Sequence, residues 1–216
     1  MDDQRLWGLH VLADDDPRWR RDPAAQADAA CAGGAAVVQL RAKRATDREA
    51  LAWARAIRKR THAAGVLFFV NDRFDLALLA EADGVHLGQG DLPPDRLPAD
   101  ARARLRVGRS THTLEQARAA RDERVDYAAF GPVFGTSSKL AEHSPRGLTA
   151  LAEVAKLLAP LPLVAIGGID AARAAACREA GAAGVAVIGA VAGADDPVAA
   201  TRALVAALRS GAVSAA

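Results

Sequence analysis

The chain has two cysteines among its 216 residues, Cys31 and Cys177, both in alanine-rich stretches that read as helices. With no CxxC and no metal-ligand spacing, a disulfide framework and a cysteine-based metal site are both excluded, and a reduced compartment is expected. Charge of one sign is lacking too. The formal net charge is +2, too small a field to argue for nucleic acid, and the one dense basic cluster, RWRR at 18–21, is closed by Asp22 and reads as a solvated helix start. No apolar run approaches the roughly 18 residues of a membrane span. The opening MDDQRLWGLHVLADDD carries acids where a signal peptide needs positive charge. A soluble, cytoplasmic protein is expected. Neither GxGxxG after a strand nor GxxxxGK[ST] occurs, which argues against the usual nucleotide cradles.

What is present is repetition. Eight short runs rich in Val, Ile, Leu and Ala recur, each followed by Gly or polar residues and then by a helical segment. They place strands near 5–13, 35–43, 67–72, 84–88, 106–112, 127–133, 163–169 and 184–191. Runs such as LVAI and GVAVI are apolar throughout, as strands of a parallel sheet covered on both faces must be. In DREALAWARAIRKRTHAAG, Leu51, Ala54, Ile57 and Arg58 fall at helical spacing, and Gly65 is the stop. TLEQARAARD and GLTALAEVAKLL read alike. Eight such units across residues 1–216 predict an α/β fold, a single-domain (β/α)8 TIM barrel, in preference to an open doubly wound sheet.

In a barrel the chemistry belongs at the carboxyl ends of the strands. Gln39, Arg41 and Lys43 stand at spacing two, so one strand face carries them to the mouth while Val38 and Leu40 face the helices. The alternative is that Lys43 and Arg41 lie past the strand, solvated. Asn71 and Asp72 end the third strand, where either could serve only as a helix N-cap. Asp91 could be only a turn residue before two prolines. Together, on neighbouring strands, Asp72 and Asp91 can converge on Mg2+, which prefers one or two carboxylates with water and phosphate oxygens. The 17 residues GPVFGTSSKLAEHSPRG are long enough for a functional lid, and Thr136, Ser137, Ser138 and Lys139 offer it hydroxyls, amides and a cation for an oxyanion. Gly167, Gly168 and Gly189, after strands seven and eight, suit either a phosphate or close strand-to-helix packing.

VQLRAK at 38–43, VNDRFDLAL at 70–78, DGVHLGQGDLP at 83–93, GRSTHTLEQARAA at 108–120, YAAFGPVFGTSSK at 127–139, VAIGGI at 164–169 and GVAVIGAV at 184–191 together resemble the thiamine phosphate synthase family. The resemblance implies a (β/α)8 transferase of thiamine biosynthesis. Such an enzyme joins 4-amino-2-methyl-5-hydroxymethylpyrimidine diphosphate to 4-methyl-5-(2-phosphoethyl)thiazole, releasing pyrophosphate with Mg2+ as cofactor. By the same match Asp72 and Asp91 are implied Mg2+ ligands. Arg41, Lys43, Asn71 and Lys139 are implied contacts of the pyrophosphate, and Gln39 and Ser110 of the pyrimidine. Thr136 and Ser138, with backbone at Gly168, Ile188 and Gly189, would hold the thiazole phosphate. Lys139, Arg41 and Ser110 are the implied catalytic residues of a dissociative reaction, with His86 and His112 in supporting roles.

Three departures from the family pattern stand out. Gly189 replaces a frequent Ser, Gly135 a frequent Pro, and LAEHSPRG is long, so thiazole phosphate affinity is the property they touch. The rivals are the related thiazole tautomerase, which has His at the place of Pro132 and lacks the acid at Asp91, and a noncatalytic barrel that binds thiamine precursors. The expected partners are small-molecule substrates, with no nucleic acid and no membrane. The sequence leaves a homodimer open.

Overall fold

The computed structural model describes residues 6–136 and 144–210. Eight parallel strands close into a barrel in sequence order, β1 (Gly8–Asp14), β2 (Val37–Arg41), β3 (Leu67–Asn71), β4 (Gly84–Leu87), β5 (Arg106–Thr111), β6 (Tyr127–Phe130), β7 (Leu163–Ile166) and β8 (Gly184–Val187). The strands are shorter than the apolar runs suggest. In β8 the hydrophobic stretch continues past Val187 into a short helix, so composition alone did not mark its end.

The helices between them are α1 (Pro23–Gly33), α2 (Asp47–Ala64), α3 (Phe74–Leu79), α4 (Ala99–Arg104), α5 (Leu114–Asp122), α6 (Gly147–Leu158), α7 (Ala171–Glu179), α8 (Gly189–Ala192) and α9 (Pro197–Ser210). Helix α2 shows the local logic. Thr46 and Glu49 form a reciprocal capping box at its start, and Gly65 ends it in the left-handed conformation. Its buried line is Ala50, Ala54, Ile57 and Thr61, so Leu51 and Arg58 sit beside the core rather than in it. Burying Ile57 fully contributes about 1.5–3 kcal/mol. Asp22 caps α1 by accepting from the Ala25 amide, as the end of the basic cluster suggested.

Strand alternation separates two cores. Val38, Leu40, Phe68, Val70 and Val85 point outward against the helices. Leu12, Val37, Phe69, Tyr127 and Val164 point inward and fill the barrel. The interior is tight: a Cβ at Gly108 would fall on the Tyr127 ring and against His86, so glycine is what lets those two rings stack with centroids 5.4 Å apart. The polar inward residues lie toward the carboxyl ends, and they build the site. Cys177 is buried but Cys31 only partly so, and burial raises both thiols to about 11, leaving them protonated and unreactive. Among the described residues no helix is long and apolar enough to cross a membrane.

Candidate active site

A cavity of about 530 Å3 opens at the carboxyl ends of the strands, lined by Arg41, Lys43, Asn71, Asp72, Asp91 and Ser110 among others. Arg41 is the last residue of β2, and its side chain turns inward to the fully shielded Asp14 at the end of β1, with Nη1 2.5 Å from Oδ2. The cation at the mouth is therefore met by an anion, as its burial requires. Asp14 Oδ1 also accepts from the Trp19 indole and from the Asp16 amide. Lys43 lies beyond the strand, half exposed, and pairs with Asp72. So solvation is only part of the account for Lys43, and it is excluded for Arg41.

Neither Asn71 nor Asp72 caps α3. The cap position is Arg73, which makes no side-chain capping bond, so the N-cap reading fails. Asp72 instead adopts φ 64°, a left-handed conformation uncommon outside glycine and tolerated best by Asn and Asp, while its amide donates to the His86 carbonyl at 2.8 Å. That turn frees its carboxylate for the cavity.

Asp91 Oδ2 accepts from the Gly88 amide at 2.6 Å, closing the loop after β4. Burial, and then the neighbouring Asp72 carboxyl within hydrogen-bonding reach, raise Asp91 above the usual carboxylate range; the Gly88 amide and Lys43 oppose this. Two carboxylates held in contact form an oxygen donor pair short of one cation. That suits a hard ion such as Mg2+, which takes its remaining oxygens from water and phosphate. Among the described residues no group of three or more His, Cys, Asp and Glu forms a metal cage.

On β4, in register with Asn71, His86 joins two neighbouring side chains. Its Nδ1 is 2.8 Å from the Tyr127 hydroxyl and its Nε2 2.8 Å from Ser110 Oγ. His112 Nδ1 donates to the Gly131 carbonyl at 2.6 Å, holding the start of the loop after β6. Both imidazoles are thus held by hydrogen bonds to neighbouring strands or loops. Gln39 lies deeper, 3% exposed, on a small internal cavity with His10, His86 and Tyr127. The shielding of His10 lowers it to about 4, so it is neutral.

A second, smaller cavity of about 70 Å3 adjoins the first and is lined by Thr136, Gly168, Ile188 and Gly189. Thr136 and Gly167 line both. Gly168 has φ 63°, and a Cβ there would fall on the Gly135 carbonyl, so its packing partner is the loop after β6 and not a helix. Ser137, Ser138 and Lys139 lie outside the described residues.

The family model described as thiamine monophosphate synthase matches residues 9–191. The chain belongs to that family. It is therefore a transferase of thiamine biosynthesis built on a TIM barrel. Among its relatives, the thiamine-phosphate synthase of Anaeromyxobacter dehalogenans (strain 2CP-C) is 50% identical over 208 residues, covering 96% of this chain and 90% of that one. That of Roseiflexus sp. (strain RS-1) is 47% identical over 182 residues, covering 84% and 77%. The solved thiamine phosphate pyrophosphorylase from Pyrococcus furiosus superposes with a TM-score of 0.86 at 34% identity, covering 96% of this chain and 98% of that one.

Several residues of the site were not expected from the sequence. Asp14 sits in a run of three acids with nothing to single it out except that it continues the inward face of Leu12 by two. Arg109, 5% exposed, donates from Nη1 to the Gly88 carbonyl at 2.5 Å and so holds the Asp91 loop from behind. Its guanidinium pairs with Glu123, Nε lying 3.1 Å from Oε2 and Nη2 donating to Oε1 at 3.5 Å. Gln89 Nε2 donates to the Ser110 carbonyl at 2.6 Å, fastening the same loop to β5.

Proposed function

We propose that the enzyme joins 4-amino-2-methyl-5-hydroxymethylpyrimidine diphosphate to 4-methyl-5-(2-phosphoethyl)thiazole, forming thiamine phosphate and releasing pyrophosphate. The observation that carries this reading is that Asp72 and Asp91 line one cavity with Arg41 and Lys43, beside a second cavity of glycines and Thr136. One cavity suits a diphosphate with a divalent cation, and its neighbour suits a single phosphate. The contact between Asp72 and Asp91 also favours the synthase over the tautomerase.

Asp72 and Asp91 would hold Mg2+, which when bound supplies positive charge to the departing pyrophosphate. Arg41, Lys43 and Asn71 would hold the same group, together with Lys139 as the resemblance implies. Fixed charges and dipoles of Arg41, Lys43 and Asn71 at this end of the cavity would meet the negative charge that grows as the methylene carbon–oxygen bond breaks, and so favour the dissociative path over the ground state. The 4-amino group of the ring donates electrons to the resulting cation. Gln39 and Ser110 orient the ring, and the thiazole, anchored through Thr136, Ser138 and the backbone of Gly168, Ile188 and Gly189, presents its nitrogen to the methylene carbon. No protein nucleophile takes part.

The test is turnover of both substrates by purified protein, followed by oxidation of the product to fluorescent thiochrome, with EDTA as the control. Fluorescence that needs both substrates and metal supports the reading. Its absence in folded protein that still binds the thiazole phosphate would sink it.

A further inference from the structure

Asp15 is the middle of the three acids at the end of β1, and each of the three serves a different partner. Asp14 meets Arg41. Asp16 is engaged by the amide and guanidinium of Arg18, and the exposed Arg44 guanidinium lies 3.3 Å away. The Asp15 carboxylate instead accepts from three successive backbone amides of the loop after β2: Lys43 at 3.0 Å, Arg44 at 2.7 Å and Ala45 at 2.8 Å. Its own amide donates to the Arg41 carbonyl at 3.2 Å. Consecutive N–H groups converging on one point make a concavity of the kind that binds anions, and here the chain fills it from the adjoining loop. Residues 42–45 lie between the last residue of β2 and the Thr46 cap of α2, so this short segment is held from strand end to helix start.

That segment carries Lys43, whose ammonium pairs with Asp72 in the main cavity. The Lys43 side chain is 46% exposed, and an ion pair so open to solvent contributes too little to hold a flexible four-carbon stem in place. The stem is aimed by its backbone, and the backbone is fixed by the charge-assisted bonds to Asp15. We infer that Asp15 is a positioning residue that acts through Lys43: it holds the ammonium at the diphosphate end of the cavity while itself lying outside the cavity lining. Binding then does not have to order the loop, which is where a preorganised cation gains affinity. This rests on the diphosphate-binding role given above to Lys43, and it adds what aims that residue. A carboxylate that merely stapled the mouth together would disturb both substrates alike. One that works through Lys43 costs only what Lys43 supplies.

A double-mutant cycle on the full chain tests this, with inorganic pyrophosphate as the calorimetric probe at one fixed Mg2+ concentration and initial rates for both substrates in parallel. Asp15→Ala and Lys43→Ala are each expected to weaken pyrophosphate binding about tenfold and to raise the KM for the pyrimidine diphosphate by a similar factor. The KM for the thiazole phosphate should stay near wild type. The double variant should lie within about twofold of Lys43→Ala alone, because no ammonium is left to aim. Asp15→Asn keeps one acceptor oxygen for the Arg44 and Ala45 amides, which share Oδ2, and turns an NH2 toward the Lys43 amide. Its expected loss is about threefold, and it completes the same cycle if Asp15→Ala does not fold. Additive losses in the double variant overturn the inference, as do equal rises in both KM values or an Asp15→Ala protein that binds pyrophosphate like wild type. Wild type that binds no pyrophosphate overturns it too. A cycle that comes out as expected in a protein that does not join the two substrates would leave the inference standing and sink the substrate reading instead.

Discussion

Asp14 Oδ2 lies 2.5 Å from Arg41 Nη1, and the two residues are register partners at the ends of β1 and β2. The aspartate side chain is fully shielded and the arginine side chain 18% exposed, so one carboxylate both neutralises and aims the guanidinium. Asp14→Asn keeps the shape and removes the charge. Losing a charged hydrogen bond in this setting is expected to lower stability by about 2 kcal/mol, or about 4–8 °C in thermal midpoint for a chain of this size. The KM for the pyrimidine diphosphate should rise about tenfold. Calorimetry and steady-state kinetics on one preparation check both, and an unchanged KM would detach Asp14 from the site.

Asp91 sits in the fold at a carboxyl raised above 3.8, mainly by burial and then by Asp72. Its contribution to stability is therefore fully present below the unfolded value and is lost as pH rises through the raised folded value. Asp91→Asn is expected to raise the thermal midpoint of the metal-free protein by about 1–2 °C, the scale of a partly exposed like-charge contact. The same variant should lose the midpoint increase that Mg2+ gives wild type. Scanning calorimetry at pH 7 with and without Mg2+ decides it.

Arg109 acts on the Asp91 loop from a distance, through the Gly88 carbonyl. Arg109→Lys keeps the charge and loses the planar fork. The Mg2+ concentration for half-maximal activity should rise about 10-fold to 100-fold, the usual effect of removing support from behind a ligand. Turnover at saturating Mg2+ should stay near wild type. If titration shows kcat falling instead, Arg109 does more than hold the loop.

Gly168→Ala places a methyl group where the Gly135 carbonyl stands, on a backbone with φ 63°. The left-handed strain alone is about 1–3 kcal/mol. The KM for the thiazole phosphate should rise at least tenfold while that for the pyrimidine diphosphate changes little. Initial rates with each substrate varied in turn separate the two, and equal increases would mean general loosening of the mouth.

The barrel was legible because parallel strands buried on both faces are apolar throughout, and eight such runs admit few closures. Asp72 and Asp91 were legible as a pair, since strand order places β3 beside β4. Their immediate surroundings were less so. The N-cap alternative for Asp72 was open until the backbone showed a left-handed residue, a property no local pattern in VNDRFD reveals. Asp14 and Arg109 were hidden for another reason. Each is defined by a partner on the neighbouring strand or its following loop, and such register is a tertiary fact. Gln39 was visible from its spacing, whereas its unpartnered oxygen required the packed interior.

The left-handed turn at Asp72 joins two demands on one codon. The backbone there admits glycine, asparagine and aspartate with least strain, and only the last of these carries a negative charge. Glutamate, the ordinary conservative exchange for a carboxylate, satisfies the charge and can take such a backbone, as Glu81 does at φ 52°, but at more strain than aspartate. A single acidic replacement at position 72 therefore carries a backbone cost as well as a longer reach, and a saturation library at this site should return most function from aspartate.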